Sequence, residues 1–68
     1  MDFGDRLRDL RKGRGLTQQA AAERCGYRLT QWNNWELGLF TASLKSLQRI
    51  SSGLSLDSSE VGRLAVGE

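Results

Sequence analysis

Proline and histidine are both absent from this 68-residue chain, and cysteine occurs once, as Cys25. Without histidine there is no neighbour to activate a thiolate, so Cys25 is expected to be an inert, buried small hydrophobe. A lone cysteine cannot form an internal disulfide; no covalent framework supports the fold, which fits a reducing cytoplasm. No run approaches the roughly 20 apolar residues that span a bilayer. The opening Met1-Asp2-Phe3-Gly4-Asp5 has neither a basic leader nor an apolar stretch, so the chain is expected to be soluble and cytoplasmic. There is no alternating β pattern, no repeat and no low-complexity segment. A phosphate-cradling glycine loop is missing. Catalysis, a metal site, a cofactor and a small-molecule ligand are therefore not expected. A chain near this length buries only about 60% of its unfolded surface, which allows one domain, residues 1–68, with one small core and no large enclosed cavity.

What is present is an uneven distribution of charge. The formal net charge is +2, yet from Arg6 to Arg28 there are seven cations against two carboxylates, Asp9 and Glu23. That window is strongly basic and the remainder is net acidic. A local basic patch attracts a polyanion such as nucleic acid, although a solvated helix face carries the same composition.

Five helical segments follow from apolar spacing, caps and glycines. Phe3, Leu7 and Leu10 recur at helical spacing behind the N-cap Asp2, with Arg11 and Lys12 in the last turn and Gly13 and Gly15 closing the segment. Thr17 caps a second segment, Gln18 to Cys25, rich in alanine and ended by Gly26, which accepts a left-handed backbone. A third, from Arg28 to about Glu36, starts so soon afterwards that the two must pack as a tight angled pair. Leu44, Leu47, Ile50 and Leu54 form a fourth amphipathic segment capped by Thr41 or Ser43, its last turn weakened by Gly53. Asp57 and Glu60 have the spacing of a capping box and introduce a fifth helix carrying Val61 and Leu64, after which Gly67 and Glu68 are expected to fray.

The third segment divides into two faces. At about 100° per residue, Arg28, Trp35 and Glu36 fall within about 60° of Trp32, and this half is expected to face the core. Thr30 and Asn34 lie about 160° away, with Leu29 and Asn33 at the margins of the outward face. A helix lying in a major groove needs this division: one face anchored, the other made of short groups that reach base edges. Asn pairs with adenine in a bidentate way, Thr hydrogen-bonds or meets the thymine methyl, and Leu29 offers an apolar methyl contact. Leu29, Thr30, Asn33 and Asn34 are thus candidate base contacts. Thr17, Gln18 and Gln19 at a helix start, together with Arg11, Arg14 and Arg28, are candidate phosphate contacts. Trp32 and Trp35 are read as core anchors rather than as base-stacking platforms.

Arg8 and Arg11, Gly15-Leu16-Thr17-Gln18, Ala22-Glu23, Gly26, Trp35-Glu36, Gly38 and Ser43-Leu44 leading to Leu47, Ile50 and Leu54 occur in an order and spacing that together are specific. With these residues the chain resembles the Cro and phage-repressor (xenobiotic-response-element) family of helix-turn-helix regulators over nearly its whole length. The resemblance implies an all-α, five-helix, lambda-repressor-like bundle with the helix-turn-helix at about residues 17–36. It implies a phosphate contact from Gln18, base reading from Leu29, Thr30 and Asn34, a salt bridge between Arg11 and Glu36, and a homodimer on double-stranded DNA.

The chain departs from that family's pattern in four places. Ala21 stands where leucine is usual, leaving volume for Trp32 and Trp35 to refill. Arg28 replaces the usual Ser or Thr cap. Leu37, Leu39 and Phe40 occupy an often basic stretch, so Leu39 and Phe40 either pack inward or mark a partner surface, and Ala42 stands where proline is common. The expected function is a sequence-specific transcriptional regulator, a repressor acting by operator occlusion; the alternative is a protein-interaction module on the same helical fold. Two recognition helices about 34 Å apart would double the readout. The dimer interface is expected at the fifth helix and its approach, including Leu56 and Leu64, with the Leu39–Phe40 patch as the alternative.

Overall fold

The structure, a computed structural model, describes residues 2–65. The expected fraying at Gly67 and Glu68 lies outside the described residues. Among the described residues there are five helices and no strand: α1 (Phe3–Gly13), α2 (Gln18–Cys25), α3 (Leu29–Glu36), α4 (Leu44–Gly53) and α5 (Ser58–Ala65).

Local chemistry fixes most helix starts. The Asp2 carboxylate accepts from the Asp5 amide at 2.9 Å, Thr17 Oγ1 from the Ala20 amide at 3.1 Å, and Ser43 Oγ from the Ser46 amide at 3.2 Å. At α5, Glu60 N–H donates to Asp57 Oδ1 at 2.8 Å while Asp57 N–H donates to Glu60 Oε1 at 3.1 Å, a reciprocal capping box. Each such cap satisfies an amide that the helix itself cannot, worth about 1 kcal/mol. α3 is the exception: its N-cap Arg28 makes no side-chain capping bond.

The helices pack so that α1 lies against α3 and α5, α2 against α3 and α4, and α4 against α5. Between them Leu7, Trp32, Ile50, Leu54 and Leu64 are fully buried, and Leu10, Ala21, Ala22, Cys25 and Trp35 complete the core. Burying each large aliphatic side chain contributes roughly 1.5–3 kcal/mol relative to leaving it exposed. The two tryptophans share this core with the small Ala21 and Ala22 of α2. Trp32 and Trp35 meet edge to face at 5.9 Å, and Tyr27 meets Trp35 likewise at 4.9 Å. Arg49 covers the outer face of Tyr27 at 4.4 Å and donates to the Gly26 carbonyl.

α4 differs from its expected stripe in two ways. Leu44 is exposed, because the first turn of α4 extends past the edge of the core, whereas Leu47, Ile50 and Leu54 do pack inward. Gly53 is also a point of close approach. A Cβ there would lie 2.6 Å from Cys25 Sγ and 2.9 Å from the Arg24 carbonyl, so only glycine lets α4 press against the end of α2. None of the described helices is long and apolar enough to cross a membrane.

Candidate nucleic-acid interface

The α2–α3 pair is set by the turn at Gly26. Its left-handed backbone, φ 80°, brings its own amide to the Ala22 and Glu23 carbonyls and the Tyr27 amide to the Ala22 carbonyl at 2.8 Å. Helix α2 is thereby closed, and the chain is redirected into α3 within two residues.

Besides its buried tryptophans, one carboxylate ties α3 to its neighbours. Glu36, at the end of α3, has a side chain only 1% exposed. Arg11 Nε donates to its Oε2 at 2.6 Å and Arg11 Nη2 to its Oε1 at 3.1 Å; Trp32 Nε1 donates to Oε2 at 2.6 Å and Gln18 Nε2 to Oε1 at 3.0 Å. Arg8 adds an ion pair at 3.5 Å and donates to the Glu36 backbone carbonyl. Burial by itself would push this carboxyl up, but the bonds from Arg11, Gln18 and Trp32 outweigh it and hold the group below its ordinary value. Helix α3 is thus tied to α1 and α2 through this ionised group.

With Trp32, Trp35 and Glu36 turned inward, the opposite face of α3 stands free. Thr30 and Leu29 are exposed, Asn34 and Asn33 are half-buried. Thr30, Gln31 and Asn34 line one wall of an open groove of about 560 Å³, with Arg28 at its end and Phe40 and Ser43 across from them. Gln31 is absent from the residues the sequence singles out. The signal was available, since Gln31 lies about 100° from Trp32 on the wheel, at the margin opposite Asn33. The far wall, from Phe40 to Ser46, belongs to a loop and a helix start that no wheel of α3 includes.

Four sequence expectations change. Arg28 does not belong to the inward half, because as the N-cap residue it has an extended backbone, φ −83° and ψ 153°, to which a helical angle does not apply; its side chain is exposed. Arg11 is not available to a phosphate. It is buried, two of its nitrogens bind Glu36 and the third donates to the Leu16 carbonyl at 2.8 Å. Arg14 is committed as well, binding both oxygens of Glu60 at 2.7 and 3.1 Å and the Leu54 and Ser55 carbonyls, so it fastens α5 to the end of α1. The Arg14 guanidinium and then the Asp57 amide lower the Glu60 carboxyl to about 2. Finally, the side-chain amide of Gln18 donates to Glu36 and, at 3.2 Å, to Asn33 Oδ1, so both its hydrogens point into the protein. Gln19 is exposed and bonds Glu23 at 3.3 Å, and Thr17 is exposed apart from its cap bond.

Two alternatives left open by the sequence are narrowed. Leu39 and Phe40 do not pack inward; with Leu37 and Leu44 they are exposed by 59–73%. Leu64, expected at a subunit interface, is 2% exposed inside its own bundle, which removes it from any outer surface. Leu56 packs partly against the core.

No curated protein and no solved structure matches the chain. The sequence profile of the helix-turn-helix domain does match, over residues 2–65, a span that takes in all five helices and the α2–α3 pair just described. The chain therefore belongs to the helix-turn-helix domain family.

Proposed function

We propose that this protein is a sequence-specific double-stranded DNA-binding regulator that lays α3 in the major groove and represses transcription by occupying its site. The observation that carries this reading is the two-sidedness of α3: tryptophans and a fully bonded carboxylate on one side, Leu29, Thr30 and Asn34 free on the other. Thr30 and Asn34 suit base edges by their hydrogen-bonding groups, and Leu29 suits a thymine methyl. Arg28 at the start of α3, with the first amides of α2 behind Thr17, suits the phosphate backbone. A homodimer would present two such helices about 34 Å apart. With Leu64 sequestered, the exposed surface of Leu39 and Phe40 is the better place for the two copies to meet.

The test is binding to randomised fluorescent duplexes at two salt concentrations. Phosphate contacts release counterions, so affinity should fall steeply between 50 and 200 mM salt, and selection should enrich a two-fold symmetric site. The exposed Leu37, Leu39, Phe40 and Leu44 favour a second reading, a protein-interaction module. An apolar contact of that kind would be insensitive to salt, and sedimentation showing one chain per site at saturation would remove the dimer.

A further inference from the structure

The buried carboxylate of Glu36 dictates which atoms the neighbouring amides show to the outside. An ionised carboxylate only accepts hydrogen bonds, and Glu36 Oε1 already accepts from Arg11. Whichever end of the Gln18 amide faces it must therefore be the NH2 end, because an oxygen there would oppose an oxygen. The same nitrogen, Gln18 Nε2, lies 3.0 Å from Glu36 Oε1 and 3.2 Å from Asn33 Oδ1. With its second hydrogen spent on Asn33, Gln18 forces Asn33 to present its oxygen inward. The NH2 group of Asn33 is left pointing outward, and no bond to it occurs among the described residues. Asn33 is half-buried and lies beside Gln18, the first residue of α2.

We propose that Gln18 is a positioning residue that converts Asn33 into a fixed hydrogen-bond donor for a phosphate oxygen of the duplex, so that Asn33, not the Gln18 side chain, makes the phosphate contact at this corner. The inference rests on the DNA-binding reading for the identity of the acceptor, but not for the relay itself. An unconstrained asparagine offers donor and acceptor equally, and half its orientations would turn an oxygen toward the anionic backbone. Locking the amide removes those orientations before binding, which is a preorganising role.

The relay is tested without DNA by 15N relaxation of the Asn33 side-chain amide in the full chain. Gln18→Met keeps the length of the side chain and removes its hydrogen bonds. The Asn33 amide order parameter should drop in this variant while the backbone values of α3 stay unchanged; an unchanged Asn33 amide would overturn the relay. On DNA, Asn33→Ala should weaken binding by about five-fold, the size of one net hydrogen bond, and Gln18→Met by about two-fold, because half the orientations of the freed amide still donate, both evenly across duplex sequences. The double variant should be no weaker than Asn33→Ala alone, because Gln18 acts through Asn33. Losses that multiply would overturn the positioning role, and a loss confined to particular base positions would overturn the phosphate assignment in favour of a base edge. If the unaltered chain bound no duplex at low salt, the DNA reading would fall and the phosphate with it, while the amide relaxation would still decide the relay.

Discussion

Arg11 and Glu36 stand 25 residues apart in sequence and meet in a two-point contact, Nε to Oε2 at 2.6 Å and Nη2 to Oε1 at 3.1 Å, inside the protein rather than on its surface. A pair of this kind is costly to break from one side, since the partner is left charged and buried; the loss is about 3–5 kcal/mol, against about 0–1 kcal/mol for an exposed pair. Glu36→Gln should therefore lower the thermal midpoint by well over 10 °C, at about 4–8 °C per kcal/mol for a domain of this size. An unchanged midpoint would contradict the burial described here.

The same carboxylate ties stability to pH. Its folded-state value lies below the ordinary one, so the unfolded chain takes up a proton first, and the stabilisation is complete above the ordinary carboxylate value of 4.5 and lost as pH falls through the lowered one. Glu60, held at about 2, behaves in the same direction. Urea midpoints measured from pH 7 down to pH 2 should fall below about pH 4.5 in the unaltered chain. In Glu36→Gln the fall should be shallower, retaining the part that belongs to Glu60.

Asn34→Ala and Arg28→Ala should separate reading from holding. Asn34 lines the groove from the outward face of α3, and its loss should relax the preference at one or two base positions by about 1–3 kcal/mol with folding intact. Arg28 is exposed and caps nothing, so its loss should weaken all duplexes alike and reduce the salt slope by about one. Selection profiles on randomised duplexes decide between this assignment and its reverse.

Gly53→Ala tests the contact between α4 and α2. Alanine is the better helix former by about 1 kcal/mol, yet its Cβ would come within 2.9 Å of the Arg24 carbonyl and the Cys25 Cα. Overpacking costs of about 1–3 kcal/mol should win, and denaturant unfolding should show net destabilisation. A gain in stability would mean that α4 can shift away freely.

Ser55 is the one described residue other than glycine with positive φ, at 55°, and it follows the end of α4 where the Leu56 amide returns to the Ser51 carbonyl at 2.9 Å. Left-handed backbone costs a non-glycine residue roughly 1–2 kcal/mol. Ser55→Gly should stabilise the chain by about 0.5–1 kcal/mol once the greater freedom of unfolded glycine is offset, read as a higher urea midpoint with unchanged slope.

Most of the helix boundaries were legible because caps are local: Asp2, Thr17, Ser43 and the Asp57–Glu60 box each act over three residues. The tryptophan positions alone make Thr30 and Asn34 legible on the groove side of α3, but not Gln31. What the sequence did not reveal depends on long-range partners. Nothing within a few residues of Arg14 announces that Glu60, 46 positions on, claims it. Counting cations in the basic window consequently overstated how many are free for DNA. Arg28 was misplaced for a different reason, since an angular wheel has no meaning for a residue just outside the helix. The Arg11–Glu36 pairing was anticipated through family resemblance and not through any local pattern, and the inward turn of Gln18 was visible in neither.

Both tryptophans of the chain lie in or beside the anchorage of the recognition helix, and Trp32 donates its indole N–H to Glu36 itself. Intrinsic fluorescence is therefore a label already in place at the joint that matters. A change in the hydrogen bond to Glu36 alters the surroundings of one indole directly, and any rocking of α3 alters both. Emission recorded during titration with duplex or acid reports on the seat of α3 without a dye, a tag or an added residue.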